Sequence, residues 1–201
     1  MKTVNENSKE QEKDRLLQQL VDREAIRDCL LRGALGNDLQ DAVLWKSAYW
    51  PDAYEDHAWY RGNAHAFVDE TVPMLVDMMD EAWHQVGNMM IQVEGDHARA
   101  QTYYFSYCRL KQPNEGRRDL FAGGRYVDKL EKRNGEWRII ERFTKSDWVR
   151  NFDDSIDWNA SSMNGYVPDY TMRAPDDPVR RFFGDTLSAP SALERRGGTS
   201  S

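Results

Sequence analysis

The chain has 201 residues, 40% apolar and 30% charged, with a formal charge of −7, which suits one globular domain, or one domain with an appendage. Its acidity argues against a nucleic-acid binder, and it lacks both the roughly 20-residue apolar run of a membrane span and the apolar core of a signal peptide. Cys29 and Cys108 are the only cysteines and form no CxxC or Cys/His cluster, so a cytoplasmic protein without a structural metal or membrane partner is expected.

Ser8-Lys9-Glu10-Gln11 has capping-box spacing and predicts the start of a first helix, with looser residues ahead of it. Leu17, Val21, Ala25 and Cys29 recur every four residues, interleaved with Ile26, Leu30 and Ala34. They make one apolar stripe that ends near Gly36-Asn37. Asp38 stands where a helix cap belongs, ahead of a short second helix holding Val43, Leu44, Trp45 and Ala48 and stopped by Pro51. Ala53 to Trp59 reads as a short strand. Gly62 precedes a third helix whose apolar set is Phe67, Val72, Leu75, Val76 and Met79, with Pro73 inside it.

After Asp80 the pattern becomes strand-like. His84 to Val93 is followed by the turn Glu94-Gly95-Asp96. Ala98 to Leu110 then alternates, with Ala98, Ala100, Thr102, Tyr104, Ser106 and Cys108 on one face. Arg99, Gln101, Tyr103, Phe105, Tyr107 and Arg109 take the other. Pro113 to Gly116 breaks this strand, and Asp119 to Lys132 forms the next, with a bend or bulge at Gly123-Gly124. Asn134-Gly135 is a hairpin signal leading into Glu136 to Trp148. Helices first and an antiparallel meander after them indicate an α+β domain over residues 10–150. Beyond Phe152 the pattern dissolves, with one helical candidate around Val179 to Phe183. Trp158, Tyr166, Tyr170, Phe182 and Phe183 make 151–185 an expected arm on the domain or a neighbouring subunit, and 186–201 an expected flexible tail.

No phosphate loop, dinucleotide turn, nucleophile elbow or HExxH helix is present. What remains is acid–base chemistry by ordinary side chains. His97 and His65 read as surface residues. His84, between Trp83 and Val86 where the chain leaves its helical half, becomes a usable base if a carboxylate holds it. The plainer reading of His84, and of His57, is a histidine with one structural hydrogen bond. A cap is the plainer reading of Asp38; a functional one needs it to point inward and orient His84. Arg142 lies in the apolar-rich run Trp137 to Phe143, where it could hold a leaving group or oxyanion. Tyr103 and Tyr107 share a face with Phe105 and line either a core or a pocket. Asp56 and His57 alternate across a strand, so they cannot both face one metal ion.

Several pieces in order carry a resemblance. They are Asp22-Arg23-Glu24-Ala25-Ile26-Arg27-Asp28, Gly36-Asn37-Asp38, Trp50-Pro51-Asp52-Ala53 and Glu55-Asp56-His57. His84-Gln85-Val86-Gly87-Asn88, Gly123-Gly124-Arg125-Tyr126 and Asn134-Gly135-Glu136-Trp137 follow. Over about residues 16–150 the chain resembles the SnoaL-like branch of the nuclear transport factor 2-like superfamily, which includes dehydrochlorinases, bile-acid dehydratases and scytalone dehydratases. The resemblance implies a cone-shaped α+β barrel, a curved mixed sheet wrapped around three N-terminal helices, with a deep pocket and often a trimeric assembly.

It also implies a cofactor-independent lyase with Asp38 and His84 as its dyad and Arg142 assisting the departing group. His57, Trp59, Asn88, Tyr103, Tyr107 and Tyr126 are then expected along the pocket. Where the dehydrochlorinase has a tryptophan near its first strand, this chain has Glu55, with Trp59 nearby. The many Trp, Tyr and Met residues point to a bulky, hydrophobic, aromatic small molecule as substrate. It would undergo dehydration, β-elimination or retro-aldol cleavage, including loss of formaldehyde from a lignin-derived aryl-propane diol. Two other readings stay open: an isomerase drawing on Glu55 and Tyr103, and a non-catalytic binding module.

Overall fold

The computed structural model describes residues 2–112, 116–155 and 176–184. Three helices, α1 (Lys2–Asp38), α2 (Ala42–Lys46) and α3 (Ala64–Met78), precede the long strands. The strands are β1 (Tyr49–Asp56), β2 (Arg61–Asn63), β3 (Met79–Glu94), β4 (His97–Gln112), β5 (Gly116–Arg133) and β6 (Glu136–Asn151). They form one sheet in the order β2-β1-β6-β5-β4-β3. β1 runs parallel to β6 and every other pair is antiparallel, so the sheet is mixed. The helices pack against it, giving the expected α+β arrangement of N-terminal helices on a mixed sheet. A final helix, α4 (Pro178–Phe183), covers the short helical candidate near the C-terminus. Residues 156–175 and 185–201, and with them most of the expected arm and tail, lie outside the described residues.

α1 starts before the capping box at Ser8, because the Lys-, Glu- and Gln-rich stretch around it favours helix and contains no stop signal. Its buried face begins where the stripe does: Ala25, Ile26, Cys29, Leu30 and Ala34 are all in the core. The helix continues past Gly36 and Asn37 through Asp38. Gly36 serves helix crossing instead of ending the helix; a Cβ there would stand 2.8 Å from the Trp45 Cβ on α2. The cap of α2 is Asp41, whose carboxylate accepts the N–H groups of Val43 and Leu44 at 3.0 Å each. Asp38 is therefore no cap, and its side chain is left for other work.

The expected strand Ala53 to Trp59 is observed earlier, at Tyr49–Asp56, and β2 accompanies it as an edge partner. Pro51 does not stop a helix; α2 has already ended, and the proline sits in β1 where the register with β6 slips between Tyr49 and Tyr54. α3 runs through Pro73. The β4 alternation is observed as expected: Ala98, Ala100, Thr102, Tyr104, Ser106 and Cys108 are buried and the alternate residues are not. The β5–β6 register slips between Gly123 and Gly124, a bulge that bends the sheet. A Cβ on Gly124 would lie 2.7 Å from the Tyr104 hydroxyl and run into the Lys145 carbonyl. That glycine lets the Tyr104 side chain cross β5 on the sheet's inner face.

The candidate acid–base site

The last turn of α1 and the start of β3 meet through one carboxylate. Asp38 Oδ1 accepts a hydrogen bond from His84 Nδ1 at 2.5 Å, and Oδ2 accepts the His84 backbone N–H at 3.0 Å. With both oxygens engaged, the ring is held in one orientation. The nitrogen facing the carboxylate carries the proton, so Nε2 presents its lone pair. Both side chains are almost buried, at 12% and 10% exposure. Burial pushes the Asp38 carboxyl above its ordinary range, and the hydrogen bonds from His84 work against that rise.

From His84 a row of side chains crosses the sheet. The Tyr104 ring lies 6.2 Å away and stacks on Tyr126 at 4.7 Å. The Arg142 guanidinium sits 4.3 Å over Tyr126 and 5.6 Å from the Tyr49 ring. Arg142 is only 4% exposed and bidentate to Asp128, with Nε and Nη2 donating at 2.7 and 3.0 Å. Burial opposes the charge on each member of this pair. Asp128 and neighbouring acidic groups nevertheless hold Arg142 far above any working pH, so it stays a cation. Burial also raises the phenols of Tyr49 and Tyr126, which remain protonated donors.

At the far end of the row stands Glu55, 0% exposed. Its Oε2 accepts from the Tyr49 hydroxyl at 3.0 Å, and its Oε1 from Thr144 Oγ1 at 3.3 Å and His57 Nδ1 at 3.1 Å. The His57 ring stacks on Phe67 at 5.0 Å, and Trp59, 57% exposed, packs against both.

Two hollows adjoin these groups. One, of about 410 Å³, is walled by Leu31, Ala34, Leu35, Trp83 and Val86 around Asp38 and His84, and is closed on one side by Asp177 and Val179. Asp177 and Val179, within the expected C-terminal arm, thus lie beside the dyad. The second hollow, on the other side of Ala34, is about 10 Å³ and is bounded by Glu55, His57, Phe67, Tyr126, Arg142 and Thr144.

The structure therefore brings together Asp38 and His84, and separately gathers Tyr126, Arg142, His57 and, at its edge, Trp59. It places three expected pocket residues elsewhere. Tyr103 is 45% exposed on the outer sheet face, under Arg125. Tyr107 is on that same face, donating to Asp119 at 2.9 Å and bordering an apolar hollow of about 470 Å³ with Trp83, Phe121 and Phe152. Asn88 is exposed at a bulge in β3 with φ of 48°. The reason is alternation: once Ala98, Ala100 and Tyr104 face inward, Tyr103 and Tyr107 must face out. The inner face of β4 could have been chosen from its small residues, which leave room for the helices. The Glu55–His57 pair had a signal too, since residues i and i+2 of a strand share a face. Asp128 had none, because its partner Arg142 comes from a different strand.

Residues 18–143 match the SnoaL-like domain family. Terrestric acid biosynthesis cluster protein E of Penicillium crustosum is 29% identical over 135 residues, covering 64% of this chain and 85% of that protein. A type 2 hexachlorocyclohexane dehydrochlorinase structure superposes with a TM-score of 0.62 at 19% identity, covering 68% of this chain and 92% of the other. A Novosphingobium aromaticivorans protein provisionally named a scytalone dehydratase does so at 0.59 and 16% identity, covering 69% and 91%. At those identities the structures speak for the fold, while the family match spans well over half of the sequence. The chain belongs to the SnoaL-like domain family of the nuclear transport factor 2-like superfamily.

Proposed function

We propose that this protein is a cofactor-independent lyase acting on a hydrophobic, aromatic small molecule, working as a homo-oligomer, with a trimer favoured, in the cytoplasm. The observation that carries the reading is the Asp38–His84 pair, held in one tautomer and opening on an apolar hollow large enough for a ring-bearing substrate. His84 Nε2 takes a proton from the carbon beside a carbonyl. The released electron pair forms the new C=C bond, and the bond to the β-oxygen breaks. If the base takes a hydroxyl proton instead, the neighbouring C–C bond breaks and an aldehyde leaves. In a β-hydroxy ketone the electron pair of that bond passes to the carbonyl as an enolate. In an aryl-propane diol it forms a C=C bond by expelling the other hydroxyl, so that formaldehyde and water are both released. The names of the structural neighbours, a dehydrochlorinase and a scytalone dehydratase, support elimination as the reaction class.

An isomerase built on Glu55 and Tyr103 finds no support in the geometry, because the two stand on opposite faces of the sheet. The test uses the β-hydroxy ketone formed from benzaldehyde and acetone, alongside a diarylpropane diol, with products followed by mass spectrometry. Loss of water, or release of benzaldehyde or formaldehyde, that disappears in His84→Gln and Asp38→Asn supports the proposal. Undiminished turnover in both folded variants refutes it, and ligand binding without any turnover favours a non-catalytic module.

A further inference from the structure

The elimination just described leaves one proton unaccounted for: hydroxide is a poor leaving group and needs an acid where it departs. Arg142, the expected candidate, is a poor choice. Two of its nitrogens are spent on Asp128, and its charge is neutralised within a buried pair. Asp128 and Arg142 cancel, which leaves Glu55 as the remaining charge of the cluster.

Among the described residues, the groups hydrogen-bonded to Glu55 are the uncharged hydroxyls of Tyr49 and Thr144 and the ring of His57. Around the hollow beside His57 stand Glu55 and Tyr49 of β1, Tyr126 of β5 and the paired Arg142 of β6, and its ring meets the uncharged rings of Phe67 and Trp59. One proton added to His57 brings the whole group to neutrality. In that form Nδ1–H stays on Glu55 and Nε2–H can be given away.

The second hollow fits this role in size. At about 10 Å³ it admits one water-sized oxygen, which is what a dehydration must release, whereas the larger hollow around His84 takes the carbon skeleton. The two share Ala34 as a lining residue, and Tyr126, a wall of the smaller, stacks on Tyr104, whose ring lies 6.2 Å from that of His84.

Resting on the lyase reading, we propose that His57 is a second catalytic residue, the acid that protonates the departing oxygen, and that Glu55 is its positioning residue. His84 gains a proton from carbon as the C=C bond forms. The C–O bond breaks, the oxygen takes the proton of His57, and water leaves. Exchange with solvent then returns one proton from His84 and restores the other to His57.

The β-hydroxy ketone and its acetate ester separate the two roles, because acetate departs without protonation. His57→Gln is expected to slow loss of water about 10²–10⁴-fold, the range for a general acid, and loss of acetate by less than about threefold. Glu55→Gln shifts the two rates in the same direction by a smaller factor, and His84→Gln slows both probes. Equal slowing of both probes by His57→Gln, or of neither, overturns the acid role while His84→Gln still upholds the lyase reading. A wild-type protein that eliminates neither probe overturns both. Thermal melts confirm that each variant is folded, and since His57 is only partly buried, His57→Gln decides the matter even if the buried Glu55→Gln does not fold.

Discussion

Replacing Asp38 by Asn separates what the carboxylate does for the fold from what it does for the base. The amide is nearly isosteric, and its carbonyl can keep the 3.0 Å bond to the His84 backbone N–H. Its NH₂ group, however, then faces Nδ1, which must accept instead of donate, and the ring proton moves to Nε2. The base is lost although nothing has moved. A positioned general base is worth about 10²–10⁴-fold, equivalent to about 2.7–5.4 kcal/mol at 1.36 kcal/mol per factor of ten.

Stability should hardly follow. The lost charge-assisted bond costs about 1.5–3 kcal/mol, but a neutral amide also escapes the burial penalty that raises this carboxyl. The two effects oppose each other, and the expected net change is within about 1 kcal/mol. Asp38→Ala differs, since it orphans both donors of His84 at about 1–3 kcal/mol each, or about 2–6 kcal/mol together. Urea titration measures the stabilities, and turnover of the β-hydroxy ketone measures the rest. Asp38→Asn retaining turnover within about threefold of the unaltered protein, or losing as much stability as Asp38→Ala, would refute the reasoning.

The raised Asp38 carboxyl has a pH signature. A carboxyl whose folded pKa lies above its ordinary 3.8 contributes stability that is fully present below 3.8 and is lost as pH rises through the folded value. The urea midpoint of the wild type relative to Asp38→Asn should therefore fall across that window, and activity, which needs the ionised carboxylate, should have its acidic limb above 3.8. Parallel midpoints at all pH values would contradict this. Asp128→Asn strips the buried Arg142 of its counter-charge and should cost about 3–5 kcal/mol by urea titration, far more than exchanging the exposed pair Lys129–Glu141 for neutral residues. Gly124→Ala forces a methyl group against the Tyr104 hydroxyl and the Lys145 carbonyl, with an expected loss of about 1–3 kcal/mol in thermal or urea melts. Tyr103→Phe, on the outer face, should leave turnover unchanged; a loss beyond about threefold would bring Tyr103 back into the site.

Much of the fold can be read along the chain because it depends on neighbours in sequence. The Ala25-Cys29 stripe of α1, the alternation in β4, the bulge at Gly123-Gly124 and the Asn134-Gly135 turn all follow from periodicity or turn chemistry. The site is another matter. Asp38 has the local pattern of a cap, and only the crossing of α1 over α2 at Gly36 carries the helix past it and hands the cap to Asp41.

The chain's periodicities alone determined that helices precede a meander, and the order of its motifs made Asp38 and His84 a pair worth testing. Only the tertiary structure decided that the two touch and that Tyr103 and Tyr107 face outward. Alternation says that a strand has two faces, but which of them becomes the inside depends on where the sheet bends and which face the helices cover. The Asp38–His84 contact joins residues 46 positions apart, beyond the reach of any local pattern.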